Sequence, residues 1–319
     1  YKSIKYVQNQ TYELCLKAVK NRLLRYVKNQ TPEICLEAVK TFGLAIIEVE
    51  NQTEEICLEA VKYDDFVIMF VHEQTYDVCL SAVKKHGLAL KYIKNQTHDI
   101  CLEAVKQNGL AVPYAREQTH VIRLTAVKQN GLALKYIKNQ TYDICLASVE
   151  ENGLALRYVK EQTHDICLAS VKQNGLALKY IKDQTYDICL EAVKQNGLAL
   201  KYIKDQTYDI CLAAVMQNSK SFQYVEDKTP EICLLAVELN GFNVMHIENQ
   251  THDLCLAAVK QHGLALTYVK DQTFDICLAA INSCPEAFII VKDQDPMLCL
   301  EAVRKTPSYI EKTVKVQHL

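Results

Sequence analysis

Thirteen of the fourteen cysteines in this chain stand on one ruler. Cys35, Cys57, Cys79, Cys101, Cys145, Cys167, Cys189, Cys211, Cys233, Cys255, Cys277 and Cys299 share a 22-residue grid, and Cys15 lies one shortened repeat ahead. A histidine row, His98, His120, His164 and His252, runs beside them. Thiolates and imidazoles are zinc ligands, but a structural zinc site wants four of them with close pairs such as CxxC. No CxxC or CxxH occurs here, and the histidines share their slot with Tyr186, Tyr208 and Phe274. The reading is therefore no metal and no cofactor. The cysteines read as small apolar core residues of a reducing compartment.

A second row has binding chemistry. Tyr92, Tyr136, Tyr158, Tyr180, Tyr202 and Tyr268 recur at the same pitch, with Lys135, Lys179 and Lys201 beside three of them. Aromatic rings flanked by cations are what single-strand nucleic-acid binders use for stacking. Two observations weaken that reading. Phe70, Ile290 and His246 fill the same slot, so packing accounts for it. The 36 Lys and Arg are balanced by 38 Asp and Glu, a net charge of −2, unlike the basic profile that phosphate binding favours. Nucleic acid is a possible partner and a protein the favoured one. The lysines at 138, 160, 182 and 204 each adjoin Asn139, Glu161, Asp183 or Asp205 and read as a solvated face.

One repeat breaks its own rules. Arg123 replaces the core cysteine, Val121 the first-turn acid, and Pro113 enters the second helical segment. A lone buried guanidinium is costly unless paired, so the expectation is a partner such as Glu117 or Glu150, or a gap in the stack that it faces. The candidate partner contacts are Arg123, Arg116, Tyr136, Tyr158, Tyr180, Tyr202, Lys135, Lys179 and Lys201. No nucleophile elbow, phosphate loop or His-Glu-x-x-His motif occurs, so the chain reads as no enzyme.

What must position these rows is a stack. A fixed period of this length means units too small to bury their own apolar faces, which pack on one another instead. The type unit is Thr185 to Gln206, TYDICLEAVKQNGLALKYIKDQ. Threonine opens nearly every unit, Pro32, Pro230 and Pro296 follow it or its aspartate equivalent, and an acid usually comes next. Those are the signs of a capped helix start. Ile188, Cys189, Leu190, Ala192 and Val193 form its apolar stripe. All nine glycines fall at one junction, as at Gly197, but Pro285 and Pro307 take the equivalent slot. Proline excludes positive φ, so the junction is not a left-handed cap. Asn196 and its equivalents then cap a second short helix, with Leu198, Ala199, Tyr202 and Ile203 inward. A strand over LALKYI is the weaker alternative, since the segment accepts Pro113 and Ser219 to Ser221.

The expected fold is all-α, an α-solenoid of about fourteen 22-residue two-helix repeats. It reads as one elongated array over 1–319, with a shortened repeat at 11–30, regular repeats at 31–306 and an end segment at 307–319. Six Asn-Gln-Thr triplets begin at Asn9, Asn29, Asn51, Asn95, Asn139 and Asn249, but Asp183, Asp205 and Asp271 share that slot. The triplet therefore reads as a turn and cap rather than a glycan acceptor, and the chain as intracellular. No apolar run approaches the roughly 18 residues of a membrane span. The start inside a repeat, at Tyr1, and the charged segment Glu311 to Leu319 suggest a piece of a longer polypeptide.

The order acid, x, Cys or Val, Leu, x, Ala, Val, Lys, x, Asn, Gly, x, Ala, Leu, clearest over 75–217 and seen in AVKQNGLALKYIK at 192–204, resembles the domain-of-unknown-function 4116 repeats of giant DNA viruses of amoebae and some intracellular bacteria. The resemblance implies a helical repeat array in a host cytoplasm or virion and brings no catalytic residues with it. The chain departs from that pattern in a shorter period and in its Asn/Asp-Gln-Thr linker.

Overall fold

The computed structural model describes residues 2–64 and 66–305. The expected end segment at 307–319 lies outside the described residues. Short 3-10 helices and α-helices alternate from the 3-10 helix Lys2–Tyr6 to the α-helix Pro296–Lys305, and no strand occurs among the described residues. The chain divides into two compact units, Tyr1–Ala169 and Ser170–Leu319. Within each unit, helices of successive repeats stack side by side, and the 3-10 helices form a second layer.

The α-helix starts where its cap allows. Thr207 is extended at φ −92, ψ 159, and its hydroxyl accepts from the Ile210 N–H at 3.4 Å. At Thr141 and Thr185 the hydroxyl instead donates to the first-turn acids Asp143 and Asp187. The apolar stripe is as expected: Ile188, Cys189, Ala192 and Val193 are buried, and Leu190 is half-buried.

The second element departs from expectation. Gly197–Tyr202 is a 3-10 helix, in which residues three apart eclipse. Gly197, Leu200 and Ile203 therefore face inward with Ala199, while Leu198 and Tyr202 are only half-buried. The stripe drawn with an α-helical period was wrong for this element. Its cap was right: Asn196 Oδ1 accepts from the Leu198 N–H at 3.1 Å.

Glycine at the junction serves close approach. No glycine has positive φ, but a Cβ on Gly197 would collide with the Ala214 carbonyl oxygen of the next repeat. Alanine at 214 and glycine at 197 together let the two backbones touch. Ser219 occupies that slot once, and there Asn243, buried, reaches across. Its Nδ2 donates to the Ala236 carbonyl at 2.8 Å and to the Ser219 carbonyl at 3.2 Å.

Candidate functional site

The linkers between repeats carry the densest polar geometry, and its centre is a residue absent from the candidates above. In the unit 1–169, Gln74 Nε2 donates to the Ile68 carbonyl of its own repeat at 2.9 Å and to the Tyr92 carbonyl of the next at 3.2 Å. Its Oε1 accepts from the Lys94 N–H at 2.9 Å. Gln52, Gln96 and Gln30 clamp their neighbours the same way, through Phe70 and His72, Tyr114 and Arg116, and Glu48 and Glu50. In the unit 170–319, Gln184, Gln206, Gln250 and Gln272 do so. The Cys211 thiol donates to Gln206 Oε1 at 3.4 Å, tying the cysteine row to the same clamp.

A second glutamine row closes the other edge. Gln129, Gln195, Gln217 and Gln261 accept, through Oε1, the junction glycine N–H of the preceding repeat, at 2.6 Å for Gly197 and Gln217. The 3-10 helix thus has its first free donor satisfied from outside. The sequence held a signal for the linker row: Gln persists while Asn, Asp and Glu alternate before it. The contacts themselves join residues 18 and 20 apart, beyond any local pattern.

The cysteines are core. All fourteen are free, and all but Cys284 and Cys299 are buried. Burial pushes the thiols up, to about 11 for Cys57, Cys189 and Cys211, with nearby carboxylates such as Asp187 and Asp205 adding to it at Cys189. The histidine row is exposed at the helix starts. His120 Nε2 lies 3.0 Å from Asp143 Oδ2 of the next repeat. The Thr141 hydroxyl first, and His120 with it, hold the Asp143 carboxyl below its ordinary value. No group of three or more His, Cys, Asp or Glu among the described residues is placed to hold a metal ion.

Within single repeats of each unit, the tyrosine and its neighbouring cation lie together. Tyr136 is 42% exposed, and Tyr158, Tyr180 and Tyr202 are half-buried. Lys135, Lys179 and Lys201 are exposed, with Nζ over the neighbouring ring at 5.5, 4.7 and 4.7 Å, and Arg157 covers Tyr158 likewise at 4.6 Å. A hydrogen bond with the Tyr202 hydroxyl holds the Lys201 ammonium above its ordinary value. The backbone carbonyls of Tyr158 and Tyr202 are held by Gln140 and Gln184.

Arg123 and Arg116 sit on the linker side. Arg116 is exposed and clamped through its N–H by Gln96. Arg123 forms no ion pair with Glu117 or Glu150; its Nη1 donates to the Asn139 carbonyl at 3.1 Å, and its buried Nε has no partner. The expected pairing fails because the longer side chain spans to the next linker. There it displaces the clamp: Gln118 holds only the Val112 carbonyl of its own repeat.

Caps, stripe, junction and clamps together define an all-α helical-repeat protein whose recurrent polar groups bind repeat to repeat. The family model "Domain of unknown function (DUF4116)" matches it five times, at residues 53–96, 75–118, 141–185, 163–207 and 185–229. Over residues 53–118 and 141–229 the chain is similar to that family. Each match starts on a capping threonine and spans two repeats, so the family unit is a repeat pair and the period read from the sequence is no departure. No curated protein and no solved structure matches the chain. Among the described residues, no helix is long and apolar enough to cross a membrane.

Proposed function

We propose that the chain is a non-catalytic scaffold, an intracellular helical-repeat array that holds a protein partner or assembles with copies of itself. One observation carries this reading. The groups most capable of chemistry, the thiols and the linker carboxamides, are spent on packing and on neighbouring repeats, while the outward rows present the same side chains repeat after repeat. A surface that recurs in this way suits a long or repetitive partner. Fourteen free cysteines favour a reducing compartment, in a host cytoplasm or a virion.

The test is affinity capture from extract of the cells that express the chain, split into nuclease-treated and untreated halves. Proteins retained after digestion are the expected result. Their loss with bound RNA or DNA would overturn the reading. A second reading, single-stranded nucleic-acid binding, draws support from the lysine ammonium groups stacked over Tyr136, Tyr180 and Tyr202. It expects Lys135, Lys179 and Lys201 changed together to alanine to weaken oligonucleotide binding and flatten its salt dependence.

A further inference from the structure

Among the described residues of the unit 170–319, the linker clamp is missing at Lys228, and a cleft lies where it would be. Lys228 occupies the glutamine slot. Its Nζ turns back to the Val225 carbonyl at 2.6 Å and lies over the Phe222 ring at 5.6 Å, so it does not reach the next repeat. One repeat earlier, Gln206 donates to the Tyr224 carbonyl and accepts from the Glu226 N–H. The equivalent groups here are the His246 carbonyl and the Glu248 N–H, and among the described residues no protein hydrogen bond reaches either. Beside them opens a cleft of about 630 Å³, walled by Pro230, Leu234 and Leu254. Glu226, Glu248 and Asp253 line it, against Lys228 and His246. Burial, with Lys228 beside it, holds the His246 imidazole below its ordinary value, so it is neutral at pH 7 and the cleft is net acidic.

We propose that this cleft receives a glutamine side chain from an extended, lysine-flanked peptide of a protein partner. The carboxamide donates to the His246 carbonyl and accepts from the Glu248 N–H, as the chain's own glutamines do in neighbouring repeats. The lysines face the three carboxylates. The inference rests on the scaffold reading and names one of its contact sites and the partner chemistry that fits it.

Binding is measured by fluorescence anisotropy, titrating the full chain into a labelled ten-residue peptide with one central glutamine between lysines. Two hydrogen bonds at about 1 kcal/mol each correspond to a tenfold or greater loss of affinity when removed. That loss is expected when the peptide glutamine is changed to leucine. It is also expected for the Lys228→Gln chain, which refills the slot with the residue used elsewhere and should melt no lower than the parent. Equal affinity of the two peptides, unchanged affinity of the Lys228→Gln chain, or no saturable binding would each overturn the proposal. If those results come while the native chain still captures nuclease-resistant partners, the cleft proposal alone fails. If no protein partner is captured, the scaffold reading fails with it.

Discussion

At the scale of the residue, the linker glutamine decides how well one repeat holds the next. Gln96 makes hydrogen bonds to the Leu90 carbonyl, the Tyr114 carbonyl and the Arg116 N–H, and accepts the Cys101 thiol at 3.6 Å. Leucine there would keep the bulk and leave the part-buried Leu90 carbonyl unpaired, while the exposed Tyr114 carbonyl and Arg116 N–H turn to water. Such a loss costs about 1–3 kcal/mol. Gln96→Leu should lower the urea midpoint accordingly, with the m-value unchanged if the array still unfolds as before. Arg123 is the converse case. Arg123→Cys removes an orphaned buried Nε and frees Gln118 to clamp forward, so a gain of about 1 kcal/mol is expected. A lower midpoint would mean that the Arg123 bond to the Asn139 carbonyl outweighs the clamp it displaces.

At the scale of the element, the junction glycine sets how closely repeats approach. A methyl group at Gly109 would meet the Ala126 carbonyl oxygen of the next helix, backbone that cannot rotate away. Gly109→Ala should cost about 1–3 kcal/mol, as overpacking does, and hydrogen exchange should rise in the two helices flanking the junction. Protection unchanged from the parent would show that the backbones are not in contact there. Much of this element structure was legible in the chain. Thr207 and its equivalents announced the helix starts, the Ile188, Cys189, Ala192, Val193 stripe announced the buried face, and Pro285 excluded a left-handed junction. What failed was the second helix. Over six residues an α-helical and a 3-10 period both fit LALKYI, and only contact with the next repeat selects Gly197 and Leu200 as the inward pair. The glutamine clamps were hidden for a related reason: Gln74 meets Tyr92 and Lys94 across a repeat boundary, while in sequence its triplet reads as a turn.

At the scale of the whole molecule, the buried thiols give the stability of both units a common pH dependence. Cys57, Cys189 and Cys211 rise from 9.0 to about 11, chiefly because burial penalises the thiolate, and most other core thiols shift the same way. A folded-state value above the unfolded one means that the native chain keeps protons that the unfolded chain has released. Stability from this source is therefore complete below about pH 9 and is lost as pH climbs towards 11. Each strongly shifted thiol contributes on the order of 1 kcal/mol, and sites in separate repeats should add. Urea midpoints at pH 7, 9 and 10.5 should fall over the last interval. Lysines and tyrosines also titrate there, so the informative comparison is with a Cys189→Ala, Cys211→Ala variant. It should start less stable at pH 7, because each change removes a buried sulfur atom and leaves a small cavity, and then lose less on going to pH 10.5. Parallel curves for parent and variant would mean that the thiols reach solvent as readily in the fold as out of it, which is incompatible with a sealed cysteine core.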